Sequence, residues 1–121
     1  MKKLLIVTGP QGSGNHLFAR LFSLHENVIG WEKLHEKYWV PSDQEPFARF
    51  WVHPEELTKE HFEKGDYFCA NVSVPFFFDG ERQTPKIKEV AMRAFELGVM
   101  PIIAVIVRAV SYTHLTLPTK A

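Results

Sequence analysis

The apolar positions at the start of the chain form a short continuous run and then a helical pattern. Residues 4–8 (LLIVT) are almost wholly apolar, which is typical of a strand buried in a parallel sheet. A glycine-rich stretch at 9–16 (GPQGSGNH) separates this run from four large apolar residues at helical spacing: Leu17, Phe18, Leu21 and Phe22. The pattern predicts a strand, a glycine loop and a helix that packs its apolar face on the sheet, capped by Ser13 or Asn15.

The second half of the chain repeats the alternation of strand and helix. Residues 66–77 are rich in aromatic and β-branched side chains, and they predict a second strand that ends at Pro75. Residues 84–98 predict a helix that Thr84 caps and Gly98 ends. We expect its buried face to comprise Ile87, Val90, Ala91, Ala94 and Phe95.

A third apolar run completes the pattern. Residues 101–108 (PIIAVIVR) predict a third buried strand. Strands that alternate with helices in this order indicate an α/β fold with a parallel sheet and right-handed crossovers. Ligands of such sheets bind beyond the carboxyl ends of the strands, where both the glycine loop and Arg108 lie.

The segment between the first helix and the second strand carries all three tryptophans. Its pattern at 31–62 predicts an irregular region, with a short helix near 53–62 that begins at Pro54. We expect the aromatic residues at 31–51 to pack in the core rather than to stack on a substrate.

Composition limits the chain to one small domain with no global charge preference. Its 121 residues include 14 Lys plus Arg and 14 Asp plus Glu, so nothing indicates a nucleic-acid or acidic-membrane partner. The single cysteine, Cys69, lies in an apolar run and indicates a buried structural thiol rather than a nucleophile. No run reaches the roughly 20 apolar residues that cross a bilayer, and the run near the amino terminus is too short for a signal peptide. We therefore expect a cytoplasmic protein.

The glycine loop is a candidate phosphate site without a lysine. Gly9, Gly12 and Gly14 let the backbone turn and aim its N–H groups inward, and the helix that follows adds the positive end of its dipole. Gly9 and Gly14 match the nucleotide-triphosphate pattern G-x-x-x-x-G-K-[ST]. Asn15 replaces the lysine of that pattern and His16 replaces its magnesium-binding hydroxyl. The alternative is a strand-to-helix turn that binds nothing.

The loop and its helix resemble those of sulfotransferases. The pattern of bacterial members is matched by Ser13, Gly14, Leu17, Leu21 and His25. The run "IIAVIVR" is similar to the family's strand that ends in an arginine, here Arg108, for the 3'-phosphate of the donor. The resemblance implies a P-loop NTPase-like parallel sheet with flanking helices, and 3'-phosphoadenosine 5'-phosphosulfate as the donor for a hydroxyl or amine acceptor.

The resemblance also assigns the site residues. The donor-binding residues that it implies are Gly9, Gly12, Ser13, Gly14, Asn15, His16 and Arg108. Gly12 stands where the family carries Lys or Arg, and we expect His16 to supply the missing positive charge as the catalytic residue. No metal is implied, and His35, His53 and His61 have no metal-ligand spacing. Two alternatives are a nucleotide-binding kinase or NTPase with a degenerate loop, and a non-catalytic binding module.

The last residues do not continue the α/β pattern. The string "VSYTHLTLPT" at 110–119 resembles the translation of a transposase adapter used in DNA sequencing libraries. We therefore expect 109–121 to be a non-native tail and 1–108 to be the N-terminal part of a truncated P-loop sulfotransferase-like domain. On this expectation the 121-residue chain itself lacks transfer activity, because elements that would cover its sheet are missing.

Overall fold

Helices and strands alternate along the chain in an α/β arrangement. The computed structural model describes residues 1–10, 15–30 and 47–107, and for residues 15, 16, 20 and 23 it describes the backbone alone. The strands are, in chain order, β1 (Lys2–Pro10), β2 (Val28–Gly30), β3 (Tyr67–Val74), β4 (Phe76–Phe78), β5 (Glu81–Gln83) and β6 (Val99–Val105). The helices are α1 (Asn15–Ser23), α2 (Ala48–Val52) and α3 (Ile87–Glu96). Two short 3-10 helices span Pro54–Glu56 and Lys59–Phe62.

Four of the strands form one parallel sheet in the order β2-β3-β1-β6. Leu5 in β1 lies opposite Cys69 in β3 and Ile102 in β6, which makes β1 a central strand. The remaining pair, β4 and β5, is a small antiparallel hairpin. The predicted parallel α/β sheet is therefore confirmed.

One face of the sheet, which we call the α3 face, carries most of the core. Leu4 and Ile6 of β1 point to this face and are fully buried. The helical elements between 47 and 62 pack here together with α3. Three buried side chains of α3 join this core: Val90, Ala91 and Ala94.

Aromatic residues from the middle segment fill the α3 face. The ring of Phe47 lies 4.9 Å from that of Trp51, and the ring of Phe62 lies 5.1 Å from that of Phe68 on β3. Both pairs have the edge-to-face geometry that aromatic rings prefer. For residues 47–51, the prediction that this segment packs in the core is confirmed, while residues 31–46 lie outside the described part of the chain.

The opposite face, which we call the α1 face, has a much smaller core. Its buried residues are Val7 on β1, Cys69 on β3 and Ala19 on α1. The thiol of Cys69 is buried and lies 3.9 Å from the carbonyl oxygen of Ala19, so the prediction of a buried thiol is confirmed.

The predicted packing of α1 is wrong. All four residues of its predicted buried face are exposed: Leu17, Phe18, Leu21 and Phe22. The helix instead turns the small side chain of Ala19 toward the sheet. The amphipathic pattern identified the helix correctly but not the side that contacts the sheet.

The third predicted strand exists but is not buried. Among the described strands β6 lies at one edge of the sheet, and Ile103 and Val105 expose 48% and 63% of their surface. A continuous apolar run does not establish burial. It shows which residues favour a nonpolar environment, and not whether other elements cover them.

The ends of the other elements differ from prediction in detail. β3 ends at Val74, directly before Pro75 as expected. Helix α3 starts after Lys86, so Thr84 does not cap it, and Phe95 is exposed. Its end is as predicted, since Gly98 adopts a φ of +84° that favours glycine. No helix among the described residues is long and apolar enough to cross a membrane.

Candidate functional site

The connections that follow β1 and β3 leave the sheet in opposite directions. The chain passes from β1 to α1 on one face, and from β3 to α3 on the other. Because β1 and β3 are neighbours, their carboxyl ends form a topological switch point, the place where open α/β sheets bind ligands. This point is the candidate site.

Two residues of β1 lead into the site. Gly9 lies opposite Ser73 near the carboxyl end of β3, so this end of β1 is held in register by its neighbour. Thr8 precedes Gly9, and its carbonyl oxygen accepts a hydrogen bond of 2.8 Å from the N–H of Ile106 just beyond β6. The Thr8 hydroxyl is buried and has no hydrogen-bond partner among the described residues.

Two polar residues of β3 also lie at the switch point. Asn71 and Ser73 are buried, at 3% and 6% exposure, and they alternate with the apolar Val72. Since Asn71 lies opposite Val7 in the register, both polar residues belong to the α1 face. We did not single them out from the sequence, although a small or polar residue at every second position of an apolar strand was a usable signal.

The structure places three of the seven predicted site residues. Gly9 is in β1, and Asn15 and His16 are the first two residues of α1. Asn15 therefore lies inside the helix and not before it. Gly12, Ser13, Gly14 and Arg108 lie outside the described residues. How these side chains would contact a ligand thus stays a prediction.

The described backbone suits an anion. Only four residues, 11–14, separate the end of β1 at Pro10 from the start of α1 at Asn15. The first N–H groups of a helix have no partner within the helix, and they carry the positive end of its dipole. The amino end of α1 therefore begins within one short connection of the switch point. Helix amino termini next to such a connection are common binding places for phosphate or sulfate groups in other proteins.

Among the described residues, the clearest interaction between two charged side chains lies elsewhere, on the rim of the α3 face. Arg49 Nε donates a hydrogen bond of 2.7 Å to Glu56 Oε1, and both side chains are exposed. This hydrogen bond, and then the attraction between the two charges, lowers the pKa of Glu56 and raises that of Arg49. The pair fastens α2 to the 3-10 helix that follows it.

A histidine and two carboxylates lie together beside this pair. The ligand atoms of His53, Glu55 and Glu56 lie within 4.8 Å of one another, close enough to share a metal ion. Glu56 already holds Arg49, and Glu55 is exposed. The spacing of the histidines did not predict this group, because its other two members are carboxylates. His61 has a structural role instead, because its Nδ1 accepts a hydrogen bond of 3.0 Å from the N–H of Thr58.

Comparison with known proteins adds no relative to this picture. No family model matches the chain, and no curated protein or solved structure does either.

Proposed function

We propose that the chain binds the phosphosulfate end of 3'-phosphoadenosine 5'-phosphosulfate through residues 9–16, as the donor site of a cytoplasmic sulfotransferase. The observation that supports this most directly is the course of the central strand. β1 passes through Gly9 into a glycine-rich connection that leads to the first turn of α1, at the point where the chain leaves β1 and β3 on opposite faces. This course is compatible with a P-loop type of parallel sheet, in which an anion would bind at the amino terminus of α1.

The missing lysine changes how the proposed loop would hold its ligand. Backbone N–H groups and the helix dipole supply the attraction to the phosphate, so affinity does not require a side-chain cation. His16 is the second residue of α1, where a bound anion favours its charged form. In the proposed site His16 stabilises negative charge on the transferring group, and Arg108 beyond β6 binds the 3'-phosphate.

The proposed reaction moves a sulfuryl group from phosphate to an acceptor. The bond between sulfur and the bridging oxygen of the donor breaks, and sulfur bonds to the acceptor oxygen or nitrogen. The acceptor proton is released, and 3',5'-bisphosphoadenosine leaves. Because this bisphosphate is already a good leaving group, the step does not need a metal ion.

Two other functions use the same loop. Gly9 and Gly14 also match the nucleotide-triphosphate pattern, which supports a degenerate kinase or NTPase. That protein would bind ATP in a magnesium-dependent manner. The third possibility is a non-catalytic module in which the loop is only a turn.

Ligand titrations followed by amide NMR separate the three functions on the 121-residue chain. We expect 3',5'-bisphosphoadenosine to shift the amide signals of Gly9, Asn15 and His16, with or without magnesium. A preference for ATP with magnesium would replace our proposal with the kinase reading. If neither ligand moves these signals, the non-catalytic module is favoured.

Substitutions of two histidines, His16 and His53, provide a variant and its matched control. His16→Ala should weaken bisphosphate binding about tenfold, the effect of losing one charge-assisted contact of about 1.4 kcal/mol. His53→Ala should leave binding unchanged, since His53 lies on the α3 side of the molecule, beside α2. Equal effects of the two substitutions would remove His16 from the proposed site.

A further inference from the structure

The turn that follows α2 carries a histidine and two carboxylates on a backbone that the core holds in place. His53 comes directly after α2, and Glu55 and Glu56 belong to the first 3-10 helix. The N–H of Glu56 donates a hydrogen bond of 3.1 Å to the carbonyl oxygen of His53. Pro54 and Leu57 are both buried. The three polar side chains therefore project from a short segment that is fixed at both ends.

The distances between the ligand atoms of these side chains fit one small cation. His53 Nδ1 lies 3.4 Å from Glu55 Oε1, and the ligand atoms of all three residues lie within 4.8 Å of one another. A tetrahedral ion with ligands at about 2.1 Å holds its ligand atoms about 3.4 Å apart. The pair of His53 and Glu55 already has this separation, and Glu56 reaches it by a small side-chain rotation.

Arg49 orients one of the carboxylates and leaves part of it free. Its Nε donates the 2.7 Å hydrogen bond to Glu56 Oε1, so the second carboxylate oxygen of Glu56 is left for an ion. Carboxylates that bind metals are commonly held by a further hydrogen bond of this kind. After the hydrogen bond and the charge of Glu56, the charges of Asp79 and Glu55 also raise the pKa of Arg49. Several carboxylates thus balance its positive charge, which does not by itself exclude a cation.

We propose that His53 Nδ1 and the carboxylates of Glu55 and Glu56 bind one divalent transition-metal ion, represented by Zn²⁺. Imidazole is a ligand for zinc, copper, nickel and iron, whereas magnesium and calcium prefer oxygen ligands. Three protein ligands leave the fourth position of a tetrahedral zinc ion to water. Among the described residues, this is the only group of three histidine, cysteine or acidic side chains close enough together to bind one ion.

The metal site does not depend on the proposed donor site. Its ligands lie beside α2 on the α3 side of the molecule, whereas residues 9–16 lead from β1 to α1. Sulfuryl transfer from the proposed donor needs no metal, so either proposal can fail while the other stands. A bound ion would join α2 to the 3-10 helix that follows it. Because the unfolded chain does not hold the three ligands together, zinc should stabilise the folded state.

Calorimetric titration of the metal-free 121-residue chain with zinc chloride tests the site. We expect one saturable site per chain and a higher thermal midpoint with zinc, and neither effect with magnesium at the same concentration. His53→Ala should weaken zinc binding at least tenfold, because it removes the nitrogen ligand. His25→Ala is the matched control, since His25 is an exposed histidine outside the three-residue group, and its Nδ1 accepts a hydrogen bond from the N–H of Asn27.

A second variant and a second readout keep the test decisive. Glu55→Gln keeps the shape of the side chain but removes its charge, and it should also weaken zinc binding at least tenfold. In NMR spectra of the imidazole nitrogens, zinc should shift the Nδ1 signal of His53 and leave Nε2 protonated. The proposal is overturned by the absence of saturable binding up to about 1 mM zinc, by equal binding of magnesium, or by equal losses in His53→Ala and His25→Ala.

Discussion

Among the described residues, two helices and an aromatic cluster close the α3 face of the sheet, whereas one helix covers the α1 face. Of the α1 side chains that the structure describes, Ala19 alone is buried. On the α3 face, the carbonyl oxygen of Trp51 accepts a hydrogen bond of 2.8 Å from the N–H of Lys86, and that of Leu57 accepts one of 2.9 Å from Arg93 Nε. On this face, packing and hydrogen bonds therefore support each other. We expect the α3 face to carry most of the stability of the fold.

The largest effect we expect comes from truncating one leucine on each side. Leu57 is fully buried on the α3 face, so Leu57→Ala should lower the free energy of unfolding by about 2–5 kcal/mol. Leu24, directly after α1, is 63% exposed, and Leu24→Ala should cost less than about 0.5 kcal/mol. Urea unfolding followed by circular dichroism measures both. Similar losses at the two positions would show that the α1 side is also packed in solution.

A smaller effect tests the turn that joins α3 to β6. Gly98 has a φ of +84°, where an added Cβ is strained although it meets no atom within 4 Å. Gly98→Ala should therefore cost about 1 kcal/mol. In the control, Gly65→Ala, the new Cβ would lie 3.1 Å from Ile29 Cδ1, a flexible side-chain end that can shift. Thermal unfolding should rank Gly98→Ala as the more damaging variant, and the reverse order would contradict a backbone cause.

The sequence correctly predicted those elements whose apolar residues are also buried by neighbouring elements. β1 contains a continuous apolar run, β3 is rich in aromatic and β-branched residues, and both lie inside the sheet. The pattern of α3 also predicted its buried Val90, Ala91 and Ala94, because α3 has a large surface to pack on. The predicted cap at Thr84 is wrong: the N–H of Lys86 donates a hydrogen bond of 2.8 Å to the carbonyl oxygen of Trp51, and α3 begins only at Ile87.

The failures concern burial more than element type. An apolar face shows which residues favour burial, but burial also needs a covering element, and neither α1 nor β6 has enough cover among the described residues. β2 has only three residues and α2 only five, too few for any periodic pattern. Of the candidate site, the sequence predicted the loop position after β1. It missed Asn71 and Ser73, because their closeness to Gly9 depends on the parallel register of β1 and β3.

A substitution with little expected effect on stability tests the role of the buried hydroxyl at the switch point. It shows whether this hydroxyl is needed for folding or for ligand binding. Thr8 Oγ1 is buried without a partner among the described residues, and Val has nearly the same shape. Thr8→Val should leave stability unchanged or raise it by up to about 1 kcal/mol, because an unsatisfied buried hydroxyl is removed. A loss above 1 kcal/mol would mean that the hydroxyl is bonded within the fold. If stability holds but bisphosphate binding falls, Thr8 belongs to the donor site.

The smallest effect lies at the rim of the α3 face, in the exposed pair of Arg49 and Glu56. The hydrogen bond from Arg49 lowers the pKa of Glu56, so the folded state holds this proton less tightly than the unfolded state does. The pair therefore stabilises the fold at neutral pH, and its contribution is lost as the pH falls through the lowered pKa of Glu56. Glu56→Gln should reduce the thermal midpoint slightly at pH 7, and its difference from the parent chain should shrink toward zero in acid. Glu63→Gln removes an exposed carboxylate with no ion pair among the described residues, and it should show no such convergence. A difference for Glu56→Gln that grows in acid would mean that the pair does not stabilise this rim.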